Sequence, residues 1–247
     1  MSRYFIELAY RGTPFCGWQL QPNGRSVQGE IERALGLLLR EPVRLTGAGR
    51  TDAGVHALQY VAHFDTGKED LHSDTLIINK MNGILPREIA VYRIIAVPPE
   101  AHARFDAVSR TYYYKIATKK NPFTTELAYH FYKSLDMAKM NEAAAILPEY
   151  NDFTSFSKLY GTAKTNLCDV MQAYWIDDCG NGELRFIITA NRFLRNMVRA
   201  IVGTMLDVGL EKYPPEDVRK IILAKNRGTA GSSVPPQGLY LAGIEYP

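Results

Sequence analysis

The sequence predicts an α/β (α+β) fold with two subdomains. Strand-like and helix-like apolar patterns alternate on both sides of residue 100, and Pro98 and Pro99 stiffen the chain between the two series. We therefore expect an N-terminal α/β subdomain over residues 1–102 and a C-terminal α/β subdomain over residues 103–247. A cleft between two such subdomains is the natural place for a site.

The composition is that of a folded protein with little net charge. Of the 247 residues, 46% are hydrophobic and 22% are charged, and the formal net charge is +3. A chain of this length buries about 70–75% of its extended surface, which is enough for a core without disulfides. Because the net charge is small, an acidic partner would have to meet a local basic patch.

The sequence carries no export or membrane signal. The N-terminal residues alternate between apolar and polar, and no segment approaches about 18 uninterrupted apolar residues. Cys16, Cys168 and Cys179 are too scattered for a disulfide framework or a metal site. We expect thiols in a reducing cytoplasm and no contact with a membrane.

Periodicity predicts the elements of the first half. A strand covers Arg3–Tyr10, and a helix follows Ser26, which is a suitable N-cap. The apolar face of this helix consists of Val27, Ile31, Ala34, Leu35 and Leu38.

Pro42 marks the end of that helix, and a strand is predicted through Val43 and Leu45. The stretch TGAGRTDAGVHALQYVAHF follows, over residues 46–64. Its second half alternates as a strand with Leu58, Tyr60, Ala62 and Phe64 on one face. Its glycines are therefore predicted to connect two strands.

The second half is predicted to contain the strand SRTYYYKIAT, a helix from Asp136 through Leu147, the strand ELRFIITA and a helix from about Arg192. On the last helix, Arg192, Arg195 and Arg199 share a face beside an apolar stripe. This face is either solvated or binds phosphate or carboxylate groups.

The sequence lacks the motifs of several enzyme classes. The run Gly47-Ala48-Gly49-Arg50-Thr51-Asp52 has an aspartate where a dinucleotide fingerprint has its third glycine, and no phosphate-binding GxxxxGK[ST] occurs. The five histidines form no HExxH pair, and GxSxG is absent. The sequence thus argues against nucleotide, zinc and serine-nucleophile chemistry.

Asp52 is either a turn residue or a functional carboxylate. On an extended segment Arg50 points the same way, and a pair between them would favour the ionised carboxylate. Tyr112 and Tyr114 share a face of their predicted strand, where they belong to the core or stack on an unpaired base.

The run GAGRTDAGVHA resembles the signature of the tRNA pseudouridine synthase A family. The likeness extends along the chain through GTPFCGWQLQP, AHARFDAVSRTYYYKI, NDFTSF, FLRNMVRAIVG and GLYLAGIEYP. The resemblance implies that Asp52 is the catalytic nucleophile and that Arg50 helps to hold the target nucleotide out of its stack. It further implies that Tyr112 stacks on the target uracil, that Arg199 pairs with the catalytic carboxylate and that Leu239 packs on the base.

The family resemblance also implies an architecture and a substrate. Members have two similar α/β subdomains with antiparallel sheets joined across a cleft, act as homodimers and use no cofactor. They isomerise uridines at positions 38, 39 and 40 of the tRNA anticodon stem-loop. Arg192 and Arg195 are then expected to contact phosphates, and the target base must be flipped out of its stem.

The predicted chemistry breaks the bond from ribose C1′ to N1 of uracil and rejoins the base through C5. Asp52 can add to C6, attack C1′ or remove a proton from the sugar, and the sequence leaves these routes open. Two other functions compete with this one: the same reaction on another structured RNA, and an RNA-binding protein that needs no turnover.

Overall fold

The structure is a computed structural model that describes residues 1–22, 24–71, 75–158, 165–177 and 182–247. The chain divides into two compact units, Met1–Val108 with Leu241–Pro247 and Ser109–Tyr240. Each unit combines strands and helices, which confirms the predicted α/β class.

The observed division differs from the predicted one, which separated residues 1–102 from 103–247. Residues 103–108 and the last seven residues belong to the first unit. Hydrogen bonds within that unit explain why: the Val108 N–H donates to the Glu245 carbonyl at 2.8 Å, and the Ile244 N–H donates to Gln59 Oε1 at 3.0 Å. The C-terminal end of the chain is thereby attached to a unit that begins far away in sequence.

In the described residues before 108, the first unit contains four strands and two α-helices. They are β1 (Ser2–Tyr10), α1 (Val27–Leu39), β2 (Thr46–Gly47), β3 (His56–Thr66), α2 (Thr75–Ile84) and β4 (Ile89–Val97).

The second unit follows with β5 (Ser109–Ala117), β6 (Tyr129–His130), α3 (Met137–Ala145), β7 (Val170–Asp177), β8 (Glu183–Ala190), α4 (Met197–Gly209) and α5 (Asp217–Leu223). The last strand, β9 (Leu239–Glu245), begins in the second unit and ends in the first. None of the helices in these described ranges is long and apolar enough to cross a membrane.

Each unit has its own strand order. In the first unit the order is β4-β1-β3-β9, with β1 antiparallel to both β3 and β4. In the second unit the order is β5-β8-β7, with both pairings antiparallel, and β6 runs parallel to the end of β5. Helix α2 packs against α1 and β4, and α3 packs against α4 and β7.

Helix α1 begins as the sequence predicts. The Ser26 side chain caps it by accepting a hydrogen bond from the Gly29 N–H at 3.2 Å. Arg40 ends the helix in the left-handed conformation, with φ of 59°. The predicted apolar face is buried except that Leu39, rather than Leu38, is the last fully buried position.

The strand predicted through Val43 and Leu45 is wrong, because only Thr46 and Gly47 pair as β2. The backbone of Leu45 is bound by side chains of α1 instead. Its N–H donates to Glu32 Oε1 at 2.8 Å, and its carbonyl accepts from Gln28 Nε2 at 3.1 Å. With both groups satisfied by a helix, Leu45 has no need of a strand partner.

Strand β3 is buried on both faces, whereas the sequence predicts one buried face. Tyr60, Ala62 and Phe64 are buried as predicted, but Leu58 on the same face is 49% exposed. On the opposite face Val61 and His63 are also buried. This strand lies between β1 and β9 in the interior of its sheet.

His63 is a buried titratable group in this core. Its Nδ1 accepts a hydrogen bond from the Ala103 N–H at 3.1 Å, and its ring meets the His102 ring edge-on at 4.6 Å. Burial, followed by the charges of His102 and Arg3, lowers the pKa of His63 to about 4. The folded protein therefore holds His63 in its neutral form at pH 7.

Helix α4 begins at Met197, so the predicted start near Arg192 is wrong. Asn196 precedes the helix with φ of 68° and ψ of 0°, a left-handed conformation that asparagine tolerates better than most residues. The chain upstream of Asn196 is therefore not helical. Arg192 and Arg195 do not share a helical face with Arg199.

Helix α4 and residues 231–232 approach each other at backbone distance. A Cβ on Gly203 would lie 1.8 Å from the Ser232 carbonyl oxygen, and a Cβ on Gly231 would lie 2.7 Å from the Thr204 nitrogen. The Gly231 N–H also donates to the Thr204 hydroxyl at 2.9 Å. Only glycine fits at this crossing.

We expect Gly203→Ala to destabilise the protein by about 2–3 kcal/mol or more, since the added methyl group must displace the Ser232 backbone. Gly83→Ala is the matched control, because Gly83 also lies in a helix and a Cβ there would meet nothing within 4 Å. Urea unfolding of both variants measures the difference. Equal midpoints would contradict the close packing.

We expect His63 to make folding sensitive to mild acid. Its folded pKa of about 4 lies below its ordinary value of 6.5, so the unfolded chain binds more protons between these values. The free energy of unfolding should therefore fall as the pH is lowered through this window, by about 2 kcal/mol between pH 7.5 and pH 5.

Urea unfolding at the two pH values, for wild type and His63→Asn, measures this contribution, because the asparagine oxygen can replace Nδ1 as acceptor without titrating. NMR titration of His63 in the wild type gives the pKa directly if the variant is unstable. A pKa near 6.5 would contradict the prediction.

Candidate active site

The candidate catalytic carboxylate lies in the loop that joins β2 to β3. Asp52 is half-buried, and its carbonyl accepts a hydrogen bond from the Val55 N–H at 3.2 Å, which closes a turn just before β3. This agrees with the prediction that the glycine-rich stretch connects two strands. The turn fixes the backbone from which the Asp52 side chain projects.

Hydrogen bonds from outside the loop hold its backbone and Thr51. The Trp18 N–H donates to the Thr51 carbonyl at 3.3 Å, and the Thr51 hydroxyl is hydrogen-bonded to the Tyr10 hydroxyl at 2.8 Å. The Tyr60 hydroxyl donates to the Gly49 carbonyl. Residues on both sides of Arg50 are therefore fixed.

Three aromatic rings support these hydrogen bonds. Trp18 and Tyr60 are stacked with their centroids 4.0 Å apart, and the Tyr10 ring lies 5.6 Å from Tyr60. All three are buried. Next to Trp18, Gly17 has φ of 107°, and a Cβ there would lie 2.6 Å from the Thr51 carbonyl oxygen. Glycine is thus required where this segment meets the loop.

Arg50 does not pair with Asp52, contrary to the hypothesis from the sequence. Arg50 is exposed, and within the described part of the chain no ion pair joins it to Asp52. Side chains two residues apart share a direction only in an extended strand. Here β2 ends at Gly47 and the backbone turns from Asp52 onward.

The candidate base-stacking residue lies on β5 in the second unit. Tyr112 is half-buried, and its ring meets the Phe193 ring edge-on with the centroids 5.0 Å apart. Phe193 was not singled out from the sequence. Its position follows only from the strand pairing, in which Arg110 of β5 lies opposite Ala190, three residues before Phe193.

The neighbouring tyrosines of β5 are structural. Tyr113 is stacked on Tyr240 at 4.7 Å, and the Arg185 guanidinium lies 4.8 Å from the Tyr113 ring centroid. Tyr114 is fully buried, and its hydroxyl donates to the Pro235 carbonyl at 2.7 Å. Of the two tyrosines predicted to share a face, Tyr114 belongs to the core.

Arg199 lies in the first turn of α4 and is half-buried. Its Nε donates to the Val234 carbonyl at 2.7 Å, and its own carbonyl accepts from the Val234 N–H at 3.2 Å. This pair of bonds fixes both the helix end and the guanidinium. Arg199 also lies close enough to Tyr114 for its charge to act on that hydroxyl. Burial and the Tyr129 hydroxyl raise the pKa of Tyr114, and the positive charge of Arg199 lowers it.

The other predicted site residues of this unit lie around the same elements. Leu239 is buried at the start of β9, directly after Gly238, which packs against the Tyr114 ring. Arg195 is exposed, and its carbonyl accepts from the Lys158 N–H at 3.1 Å. Arg192 is half-buried and close enough to Cys168 for its charge to act on that thiol.

The predicted site residues are thus distributed over both units. Arg50 and Asp52 lie in the first unit, and Tyr112, Arg192, Arg195, Arg199 and Leu239 lie in the second.

Two of the three cysteines lie within the described residues. Cys16 and Cys168 are free thiols, and burial raises the pKa of Cys168 to about 11, so this thiol is protonated and unreactive at neutral pH. Cys179 lies outside the described residues. Within the described ranges, no group of three or more histidine, cysteine or acidic side chains could hold a metal ion.

Comparison with known proteins identifies the family. A family model described as tRNA pseudouridine synthase matches residues 149–247. The chain is 50% identical over 247 residues to a tRNA pseudouridine synthase A from Porphyromonas gingivalis, covering 100% of this chain and 98% of that protein.

Proteins with the same name from Parabacteroides distasonis and Bacteroides fragilis are each 52% identical to this chain. In both cases the alignment covers 100% of this chain and 97% of the relative. The protein therefore belongs to the tRNA pseudouridine synthase A family.

Proposed function

We propose that this protein is a tRNA pseudouridine synthase that isomerises uridines at positions 38, 39 and 40 of the anticodon stem-loop. The observation that carries the proposal is the similarity, over the whole chain, to three proteins named tRNA pseudouridine synthase A. The proposal includes action as a homodimer in the cytoplasm without a cofactor, as the family resemblance implies.

Asp52 is the proposed nucleophile. The reaction breaks the C1′–N1 bond of uridine, turns the uracil and forms a C1′–C5 bond, after which the proton on C5 is lost and N1 gains one. Reactant and product are isomers, so no group is supplied from outside. Asp52 must be ionised to attack C6 or C1′, or to take a proton from the sugar. The turn after Asp52 and the fixed Thr51 support this role by holding in place the backbone from which the Asp52 side chain projects.

Arg199 is the proposed cation that stabilises the charged carboxylate. A nearby guanidinium offsets the cost of keeping a partly desolvated carboxylate ionised. The hydrogen bond from Arg199 Nε to the Val234 carbonyl supports this role, because it limits the rotamers that the arginine can adopt. In this proposal Arg199 and Asp52 act on the same uridine.

The remaining residues are proposed to handle the flipped nucleotide. Extruding a base from a stem costs a few kcal/mol, which stacking must offset. Tyr112 is proposed to stack on the uracil and Leu239 to pack on it, while Arg50 helps to hold the nucleotide out of the helix. Arg192 and Arg195, which lie in the non-helical segment before α4, are proposed to contact phosphates of the RNA.

We expect Asp52→Asn to lower the rate of pseudouridine formation by more than about 10⁴-fold, since the amide is neither a nucleophile nor a base. Base-resolved pseudouridine mapping of an unmodified tRNA transcript with uridines at 38, 39 and 40 measures the rate. Glu216→Gln, which removes an exposed carboxylate of α5's N-terminus, is the control and should behave as wild type.

A ribosomal RNA fragment in the same assay separates the alternatives. Modification of that fragment but not of the tRNA would favour another RNA substrate. Binding of the tRNA without modification by the wild type would favour a protein that acts without turnover.

We expect Tyr112→Phe to retain most of the activity and Tyr112→Ala to lose about 10- to 100-fold in kcat/KM, because stacking needs the ring and contributes about 1–3 kcal/mol. Tyr92→Ala is the control, since Tyr92 is 56% exposed on β4 of the other unit. Single-turnover kinetics on the same transcript measure all three. A Phe variant as impaired as the Ala variant would contradict the stacking role.

A further inference from the structure

A second surface of the protein combines aromatic rings with lysines. It lies in the second unit beyond the end of β5 and consists of Lys119, Lys120, Phe123, Tyr132 and Lys133, which we call the aromatic–lysine surface. Ala117 lies five positions after Tyr112 on β5, or about 17 Å along the strand. The surface is therefore not part of the group around Tyr112.

Its two aromatic rings are exposed and yet held in place. Phe123 is 85% exposed and Tyr132 is 60% exposed. Phe123 lies in a short 3₁₀ turn that begins at Pro122, and the Asn121 side chain caps the turn by accepting from the Phe123 N–H at 3.0 Å. The capped, proline-containing turn fixes the backbone that carries the Phe123 ring, so the ring is presented to water at a defined position.

The segments that carry the rings are joined to each other. The Phe131 N–H donates to the Ala117 carbonyl at 2.9 Å, which attaches the segment that carries Tyr132 to the end of β5. The His130 ring is hydrogen-bonded on one side to the Thr124 hydroxyl at 3.3 Å and on the other to the Tyr132 hydroxyl at 2.9 Å. His130 thus links the Phe123 turn to Tyr132.

Positive charge is concentrated around these rings. Residues 118–133 contain three lysines and one acidic residue, Glu126, so this segment carries +2 of the chain's net +3. The three lysines are exposed, and none forms an ion pair with a residue in the described ranges. A cationic surface with exposed rings complements nucleic acid, whose phosphates meet the lysines and whose bases meet the rings.

We propose that the aromatic–lysine surface binds an unpaired segment of the tRNA substrate, away from the target nucleotide. The bases stack on Phe123 and Tyr132, and the phosphates contact the lysines. An unpaired segment fits better than a duplex because only splayed bases offer faces to protein side chains. This inference rests on the proposed function for its substrate, and it assigns to the surface a role in affinity and none in the chemical step.

Two double variants test the two contributions. Phe123→Ala with Tyr132→Ala should weaken tRNA binding about tenfold or more, since each stacked base is worth a factor of about five or more. Lys119→Gln with Lys120→Gln should reduce the slope of log Kd against log salt concentration by about 1.4.

The control is Lys212→Gln with Lys220→Gln, two exposed lysines of the same unit that pair with Asp207 and Asp217. It removes the same net charge and should leave both Kd and the salt slope unchanged. Fluorescence anisotropy with a labelled tRNA transcript measures Kd, and single-turnover pseudouridine formation at saturating protein should stay within twofold of wild type for all variants.

The outcomes separate this inference from the proposed function. If the wild type modifies the tRNA and the variants bind it as tightly as the control does, the proposed RNA-binding role of the surface is wrong and the proposed function is retained. If the wild type does not modify the tRNA but the variants lose affinity as predicted, the binding role is supported and the proposed function is wrong. If the variants lose affinity for a duplex but not for a single strand, the proposal is also overturned. A change in the sedimentation mass of the Phe123→Ala, Tyr132→Ala variant would overturn it in favour of a contact with another protein chain.

Discussion

The position of Asp52 depends on hydrogen bonds that distant residues make to the backbone of its loop. The donors are the Trp18 N–H, to the Thr51 carbonyl, and the Tyr60 hydroxyl, to the Gly49 carbonyl. A loop held by its backbone can be rigid while its side chains remain available for chemistry. Preorganisation of this kind lowers the entropic cost of aligning the catalytic group with the substrate.

The second unit fixes Arg199 by a similar device. Helix α4 is buried along most of its length, and the segment after residue 230 lies directly on it at Gly203. That close approach brings the Val234 carbonyl to 2.7 Å from Arg199 Nε. A half-buried guanidinium needs such acceptors, because each unsatisfied donor in a desolvated position costs free energy. Packing between backbones and the orientation of one charged side chain are therefore coupled.

Sequence reasoning succeeded where the signals are local. The Ser26 cap and the strands β5 and β8 depend on neighbouring residues, and all three were predicted with bounds close to those observed. It failed where a distant group decides. Leu45 leaves the predicted strand because Glu32 and Gln28 of α1 bind its backbone, and no local pattern encodes that contact. Asn196 adopts a left-handed backbone conformation directly before α4, so the helix does not extend back to Arg192. Hydrophobic periodicity carries no information about the conformation of this one residue.

The candidate site shows the same division. The family resemblance singles out Asp52, Tyr112 and Arg199 because their motifs are short and continuous. It says nothing of Phe193, which meets Tyr112 through strand pairing, or of Val234, which holds Arg199 across a close packing of the chain. Supporting contacts of this kind join residues far apart in sequence, so only a fold reveals them.

In the part of the chain that the structure describes, no ion pair joins Arg50 to Asp52, and this changes how the proposed roles are divided between the arginines. Had the two residues paired, Arg50 would have stabilised the charged carboxylate, and Arg199 would have been one of two cations serving it. An exposed Arg50 on a fixed loop is better suited to a ligand that arrives from solvent, such as the phosphate or sugar of an extruded nucleotide. The proposed mechanism then assigns the carboxylate to Arg199 and the nucleotide to Arg50. Each arginine thereby has one task, which agrees with the firm anchoring of the first and the exposure of the second.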